Sequence, residues 1–173
     1  MLNIENFDCN IAVFRFINSH HSSFFDNFFL WTRLLGRGEV ILLILLFLLL
    51  VRRREDFYRL LISSLLTAVL VILLKNLLSA PRPASFLPDV HLLLPYYINS
   101  FPSGDTSVAT LILLSFFRKV NMVCRFLLLL YWLIISYGRV YLGVHFPLDI
   151  LGGFLAAILC IALTPILAKR LFK

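Results

Sequence analysis

Apolar residues run in long unbroken blocks along most of this chain, with polar residues gathered at the breaks. Glu39 to Val51 is nearly all Ile, Leu, Val and Phe, and Arg52, Arg53, Arg54, Glu55 and Asp56 stop it. With residues 32–38 leading in, the block is long enough to cross a bilayer, which takes about 20 residues. A second block runs from Phe57 to Leu78, with Lys75 near its end. A third starts near Gly104 and closes at Arg118-Lys119, and a fourth runs from Met122 to Tyr137. The fifth starts at Pro147, whose missing N–H suits a first helical turn, and ends before Lys169-Arg170. A loop holding Pro81, Pro83, Pro88, Pro95 and Pro102 separates the second and third blocks. Residues 1–31 are different. Ile11, Val13, Phe14, Phe16 and Ile17 are interrupted by Asn10, Arg15, Asn18, Ser19, His20 and His21, and Phe24 to Trp31 contains Asp26 and Asn27. This mixture predicts an interfacial amphipathic helix, partly inserted. The expected fold is an all-α polytopic membrane helix bundle of five to six transmembrane helices with an N-terminal interfacial helix. One membrane-embedded domain is expected over residues 1–173.

Composition agrees. Of 173 residues, 61% are hydrophobic and 14% charged, against about 45–50% apolar and about 25% charged in soluble globules. A soluble domain, a disordered tail and a disulfide scaffold are excluded, and no room remains for a separate soluble unit. Cys9, Cys124 and Cys160 are odd in number and lack metal-like spacing, so they read as ordinary small residues. The first six residues lack the basic start of a cleavable signal peptide.

The net charge of +7 raises the question of sidedness rather than of nucleic acid. If the five spans alternate, Arg52, Arg53, Arg54, Arg59, Arg118, Lys119, Arg125, Lys169, Arg170 and Lys173 fall on one side. Arg15, Arg33, Arg37, Lys75, Arg82 and Arg139 fall on the other. The richer side is the cytoplasmic one, and the C-terminus lies there.

The outward side gathers chemistry from three segments. Lys75 and Arg82 flank the end of the second span, Ser103, Gly104 and Asp105 open the third, Arg139 closes the fourth, and His145 and Asp149 open the fifth. Three cations suit a phosphate dianion and the charge added in its transition state. The arginine fork grips two phosphate oxygens. Ser103-Gly104 at a helix start offers free N–H groups and the positive dipole end. Asp149, four residues after His145, reaches it around one turn, and a carboxylate on one ring nitrogen fixes the tautomer of a histidine nucleophile or base.

These residues resemble the phosphatidic acid phosphatase type 2 superfamily, marked by Lys-x6-Arg-Pro, Pro-Ser-Gly-His and Ser-Arg-x5-His-x3-Asp. Here the motifs stand as Lys75-x6-Arg82-Pro83, Pro102-Ser103-Gly104-Asp105 and Gly138-Arg139-x5-His145-x3-Asp149. The likeness runs over roughly residues 60–165. It implies that His145 attacks phosphorus, that Asp149 orients it, and that Lys75, Arg82, Ser103, Gly104 and Arg139 hold the phosphate. It implies a phosphohistidine hydrolysed by water, with no metal or cofactor. Two departures stand out. Gly138 replaces the usual serine, and Asp105 replaces the histidine that protonates the leaving group. A carboxylic acid does that work only when its proton is retained, and nearby cations oppose this. Substrates with good leaving groups, such as an anomeric phosphate or a pyrophosphate, suffer least. His91 is a rival acid.

The expected function is therefore a membrane lipid phosphatase of the bacterial inner membrane, with its site facing the periplasm. A lipid A 1-phosphatase of relaxed specificity is favoured. Undecaprenyl-pyrophosphate or phosphatidylglycerophosphate phosphatase is the alternative, and a catalytically impaired lipid-phosphate-binding protein the alternative of another class. A channel or transporter would place polar residues in mid-span, where these spans have almost none. Partners are a phosphorylated lipid and the bilayer, with no nucleic acid and no obligatory protein. The sequence displays no metal-ligand cluster. His20 and His21 read as interfacial, Asp26 and Glu39 as partners for Arg33 or Arg37, and Trp31, Trp132, Tyr96, Tyr97, Tyr137 and Tyr141 as interfacial belts.

Overall fold

A computed structural model describes residues 6–95 and 99–171, with Phe86 and residues 168–171 described by backbone alone. Tyr96, Tyr97 and Lys173 lie outside the described residues, as do the side chains of Lys169 and Arg170. Among the described residues all regular structure is helical: α1 (Asp8–Ser19), α2 (Ser23–Thr32), α3 (Gly38–Leu50), α4 (Arg54–Leu78), the short α5 (Pro83–Phe86), α6 (Gly104–Phe116), α7 (Met122–Tyr141) and α8 (Pro147–Leu171). Two 3-10 turns, Arg33–Gly36 and Phe117–Lys119, join α2 to α3 and α6 to α7.

The helix ends follow local chemistry. Ser22 caps α2 by accepting from Phe25 N, Ser103 caps α6 through Thr106 N, and Asn121 caps α7 through Cys124 N at 2.9 Å. Ser79 ends α4 in the left-handed region (φ 45°). By length and composition, the helices built on α4, α7 and α8 can cross a membrane. At 13 residues each, α3 and α6 fall short of the usual span. The lead-in to α3 does not lengthen it, because Arg37 is extended (ψ 154°) and breaks the helix there.

Lipid-facing and buried surfaces separate cleanly. Leu42, Leu46 and Leu50 on α3, Val69 and Ile72 on α4, and Leu151, Leu155 and Leu159 on α8 are large, apolar and exposed. That is the outward face of a bundle whose solvent is hydrocarbon. The core lies around α6, where Leu111 and Ile112 meet Ile41, Leu45, Leu48, Leu60 and Ala157. With protein on all sides, α6 carries Thr106, Ser107 and Thr110 fully buried, and each hydroxyl is hydrogen-bonded. The α6–α8 crossing is close because Gly153 has no side chain: a Cβ there would lie 2.3 Å from the Ser103 carbonyl oxygen.

Residues 8–32 form two helices rather than one interfacial helix. The break comes at His20-His21, and neither piece exceeds 12 residues. They are docked rather than adrift. Phe14 (1% exposed) packs against Val140 and Phe146, and Asn10 Oδ1 accepts from Leu148 N in the first turn of α8. The Asn18 side chain donates to the carbonyls of Tyr141 and His91 and accepts from His91 N. At the opposite end, Asp56 pairs with Arg53 and Lys119, and Glu55 with Arg59. This end holds the basic cluster.

Two aromatic expectations are corrected. Trp132 is half-buried, donating from Nε1 to Thr110 Oγ1 at 2.9 Å across the α6–α7 contact. Tyr141 is 2% exposed and donates to Asp26. Each ring turns toward a neighbouring helix because its N–H or O–H finds an acceptor there. Asp26 correspondingly bonds Tyr141 and His91 rather than Arg33, whereas Arg37 does pair with Glu39 at 2.6 Å.

Candidate active site

The eight catalytic and phosphate-binding residues expected from the sequence lie at one end of the bundle. Lys75 sits in the last turn of α4, Arg82 just before α5, and Ser103, Gly104 and Asp105 at the start of α6. Arg139 is in the last turn of α7, His145 is in the α7–α8 connection, and Asp149 is in the first turn of α8. α7 runs one turn further than expected, so Arg139 is held by a helix and not by a loop.

The centre is a buried dyad. His145 Nδ1 lies 3.0 Å from Asp149 Oδ2, with His145 3% and Asp149 0% exposed. The same carboxylate oxygen accepts from Phe146 N at 2.8 Å and from Ser100 Oγ at 2.5 Å. Ser100 Oγ also lies 3.4 Å from His145 Nδ1 and is fully buried. Sequence reading missed Ser100, three residues before Ser103. The only signal was a hydroxyl beside a motif already recognised. Burial holds the His145 imidazole far below its ordinary range, at about 3, against the opposing pull of Asp149; Arg82 and Arg139 push the same way as burial. The ring is therefore neutral at physiological pH, with Nδ1–H given to Asp149 and Nε2 left as the basic nitrogen.

The cations are fixed by backbone. Lys75 Nζ donates to the carbonyls of Asn99 and Ser100 at 2.9 Å each. Arg82 Nη1 donates to Val144 O at 2.8 Å, next to the dyad. Ser103 N donates to Asp149 O at 3.0 Å, tying the α6 start to the α8 start. The Ser103 hydroxyl is spent on capping, where it takes hydrogen bonds from Thr106 N and Oγ1. What this corner offers an anion is therefore chiefly the N–H groups of the α6 first turn.

Arg139 Nη1 donates to Asp105 Oδ2 at 2.9 Å, while the buried Arg139 Nε has no hydrogen-bond partner among the described residues. The pair borders an open cleft of about 350 Å³ lined by Arg33, Arg37, Arg82, Asp105 and Arg139. The sequence pattern gives Arg33 and Arg37 no part in the phosphate chemistry. Their place in the cleft follows from the 3-10 turn after α2, which brings Gly36 against Asp105. On its other side Asp105 ends an apolar groove of about 400 Å³ between α3, α4 and α6, with Ile41, Leu65, Val71 and Leu111 among its walls.

His91 does not join this group. Its ring stacks on His21 (3.8 Å, 7°) and meets Asp26 Oδ2 at 3.3 Å. His21, Asp26 and His91, which show no metal-like spacing in the sequence, each bring a ligating atom within 4.8 Å of the others. Their separation in sequence, with Asp26 and His91 65 positions apart, hid them. The Gly138 departure has a packing cause: a Cβ at Gly138 would lie 2.8 Å from the Phe29 ring, so α2 takes the space a serine would fill.

Residues 56–173 match the model of the PAP2 superfamily. The fold is similar to the crystal structure of Aquifex aeolicus LpxE, at 40% identity and a TM-score of 0.89, covering 95% of this chain and 98% of that one. It is also similar to a transmembrane PAP2-type phosphatidylglycerolphosphate phosphatase from Bacillus subtilis, at 20% identity and a TM-score of 0.76, covering 94% and 85% of the two chains. A stretch of 61 residues is 41% identical to the undecaprenyl-diphosphatase candidate YbjG of Escherichia coli (strain K12), spanning 35% of this chain but only 31% of that protein. The match over residues 56–173 takes in all three motifs and the dyad they build, and the chain belongs to the PAP2 superfamily as a multi-pass membrane phosphatase.

Proposed function

We propose that this phosphatase acts on a lipid phosphate at the periplasmic face of a bacterial inner membrane, through a phosphohistidine on His145. Lipid A 1-phosphate is the preferred substrate, and undecaprenyl pyrophosphate and phosphatidylglycerophosphate are slower ones. The observation that carries this reading is the position of Asp105, which borders both the arginine cleft and the apolar groove. A phosphate among the arginines can thus keep its acyl chains between α3 and α4, in continuity with lipid. The whole-length likeness to LpxE supports the first substrate over the others, whose relatives match at lower identity or over a third of their length. The basic cluster at the opposite end supports the outward orientation.

In this reading the neutral His145 Nε2 attacks phosphorus as the bond to the leaving oxygen breaks, and the lipid departs with that oxygen, which takes a proton from water. Asp149 stabilises the imidazolium that forms, and Ser100 holds Asp149 in place. Arg82, Arg139 and the α6 N–H groups take the charge on the equatorial oxygens. Water then attacks the phosphohistidine, releasing phosphate and restoring the ring. Asp105, as an acceptor from Arg139, positions that guanidinium and offers the leaving oxygen weak assistance. That favours anomeric phosphates and pyrophosphates.

The test is phosphate release by the purified protein from the three lipids in mixed micelles, with mass spectrometry of the products. Loss of the lipid A 1-phosphate at the highest kcat/KM is expected. Binding without release from any of them would make the protein a lipid-phosphate binder instead.

A further inference from the structure

His21, Asp26 and His91 lie outside the phosphate site and take no part in the chemistry above. They come from the α1–α2 turn, from the first turn of α2 and from the loop that leads to Ser100. We propose that these three residues form a binding site for a transition-metal dication of the Zn2+ type, clipping the N-terminal helix pair to that loop.

Four observations carry it. His91 Nε2 and Asp26 Oδ2 are 3.3 Å apart, and ligands about 2.1 Å from a tetrahedral zinc stand about 3.4 Å from each other. The third ligating atom, from His21, is within 4.8 Å of both, and turning that exposed ring out of its stack on His91 closes the set. Two of the three ligands are already braced. Asp26 Oδ1 accepts from the buried Tyr141 hydroxyl at 2.7 Å, which turns Oδ2 toward the histidines. The backbone of His91 is held at both its N–H and its carbonyl by the Asn18 side chain. Such outer partners orient ligands at metal sites. Two imidazoles and one carboxylate suit zinc-like ions over Mg2+ or Ca2+, which take oxygen ligands. The exposure of His21 leaves an entry path and room for a water as fourth ligand.

Full-length protein, freed of any affinity tag and treated with a chelator, is titrated with Zn2+ by calorimetry and with Co2+ by visible absorption. One equivalent per chain is expected, with a rise in Tm on adding Zn2+ but not Mg2+. His21→Ala and Asp26→Asn should each weaken binding at least tenfold, and Tyr141→Phe about tenfold. His21 is exposed, so its variant folds even if the others do not. The proposal is overturned if no Zn2+ binds at about 0.1 mM, or if binding survives His21→Ala unchanged. In either case the trio is a surface ion pair with a stacked ring. Lipid phosphate release is not the readout, so this result stands apart from the assignment of His145.

Discussion

Asp105 Oδ2 accepts a hydrogen bond from Arg139 Nη1 at 2.9 Å. The residue standing where the family motif has histidine is thus engaged with a cation proposed to hold the phosphate. Asp105→Asn should lower kcat/KM on lipid A 1-phosphate by about tenfold, the scale of one charge-assisted hydrogen bond. Asp105→His should preserve or raise turnover of phosphomonoesters with poor leaving groups. Steady-state kinetics on substrates graded by leaving-group pKa check both. A complete loss in both variants would give Asp105 a direct part in the chemistry.

His145→Ala should abolish turnover, because the proposed reaction runs through its Nε2. Acid-labile phosphoprotein trapped from labelled substrate should vanish in the same variant. Substantial residual release would remove the nucleophile assignment.

Ser100→Ala removes a buried hydroxyl from Asp149, so the dyad is held less well although the phosphate ligands stay. The expected effect is a fall in kcat of about tenfold to a hundredfold with KM nearly unchanged. A rise in KM alone would make Ser100 a loop residue without influence on the dyad.

The lowered His145 value sets the sign of a pH effect. Below about pH 6.5 the unfolded chain binds a proton that the folded chain excludes until about pH 3. Stability is therefore full above pH 6.5 and falls as pH drops through that window, by on the order of 1 kcal/mol per unit at most. Thermal unfolding between pH 7.5 and 5 should show a shallower pH slope for His145→Gln than for the parent.

Gly138→Ser restores the family residue but drives a side chain into the Phe29 ring. Overpacking of this kind costs about 1–3 kcal/mol. Because α2 is what must yield, protease sensitivity should rise in residues 8–32 ahead of the rest of the chain. Phe29→Ala in the same chain should relieve it.

Much of this was legible in the sequence because membrane helices announce themselves by composition and the phosphate site by spacing. Lys75, Arg82, Arg139, His145 and Asp149 each fall within a turn of a helix end, so reading the ends placed the residues. What stayed hidden depends on contacts between distant segments. Neither the docking of Asn10 and Asn18 nor the inward turn of Trp132 has a local signature, since each answers an acceptor or donor from another helix. Arg33 and Arg37 reach the cleft only through a 3-10 turn that the hydrophobic pattern read as part of a span. Gly138 looked like a loss until Phe29 was seen to occupy its space.

The 13 residues of α6 have a consequence for the substrate. At 1.5 Å per residue this helix is about 20 Å long, some 10 Å less than the hydrocarbon thickness. Arg118 and Lys119 mark its far end; in the proposed orientation its Ser103-Gly104 start would lie beneath the opposite head-group layer unless the bilayer thins around it. A lipid phosphate bound as proposed would have to sink to reach it. Membrane thickness and the length of the lipid's own tails would then become part of what this phosphatase selects.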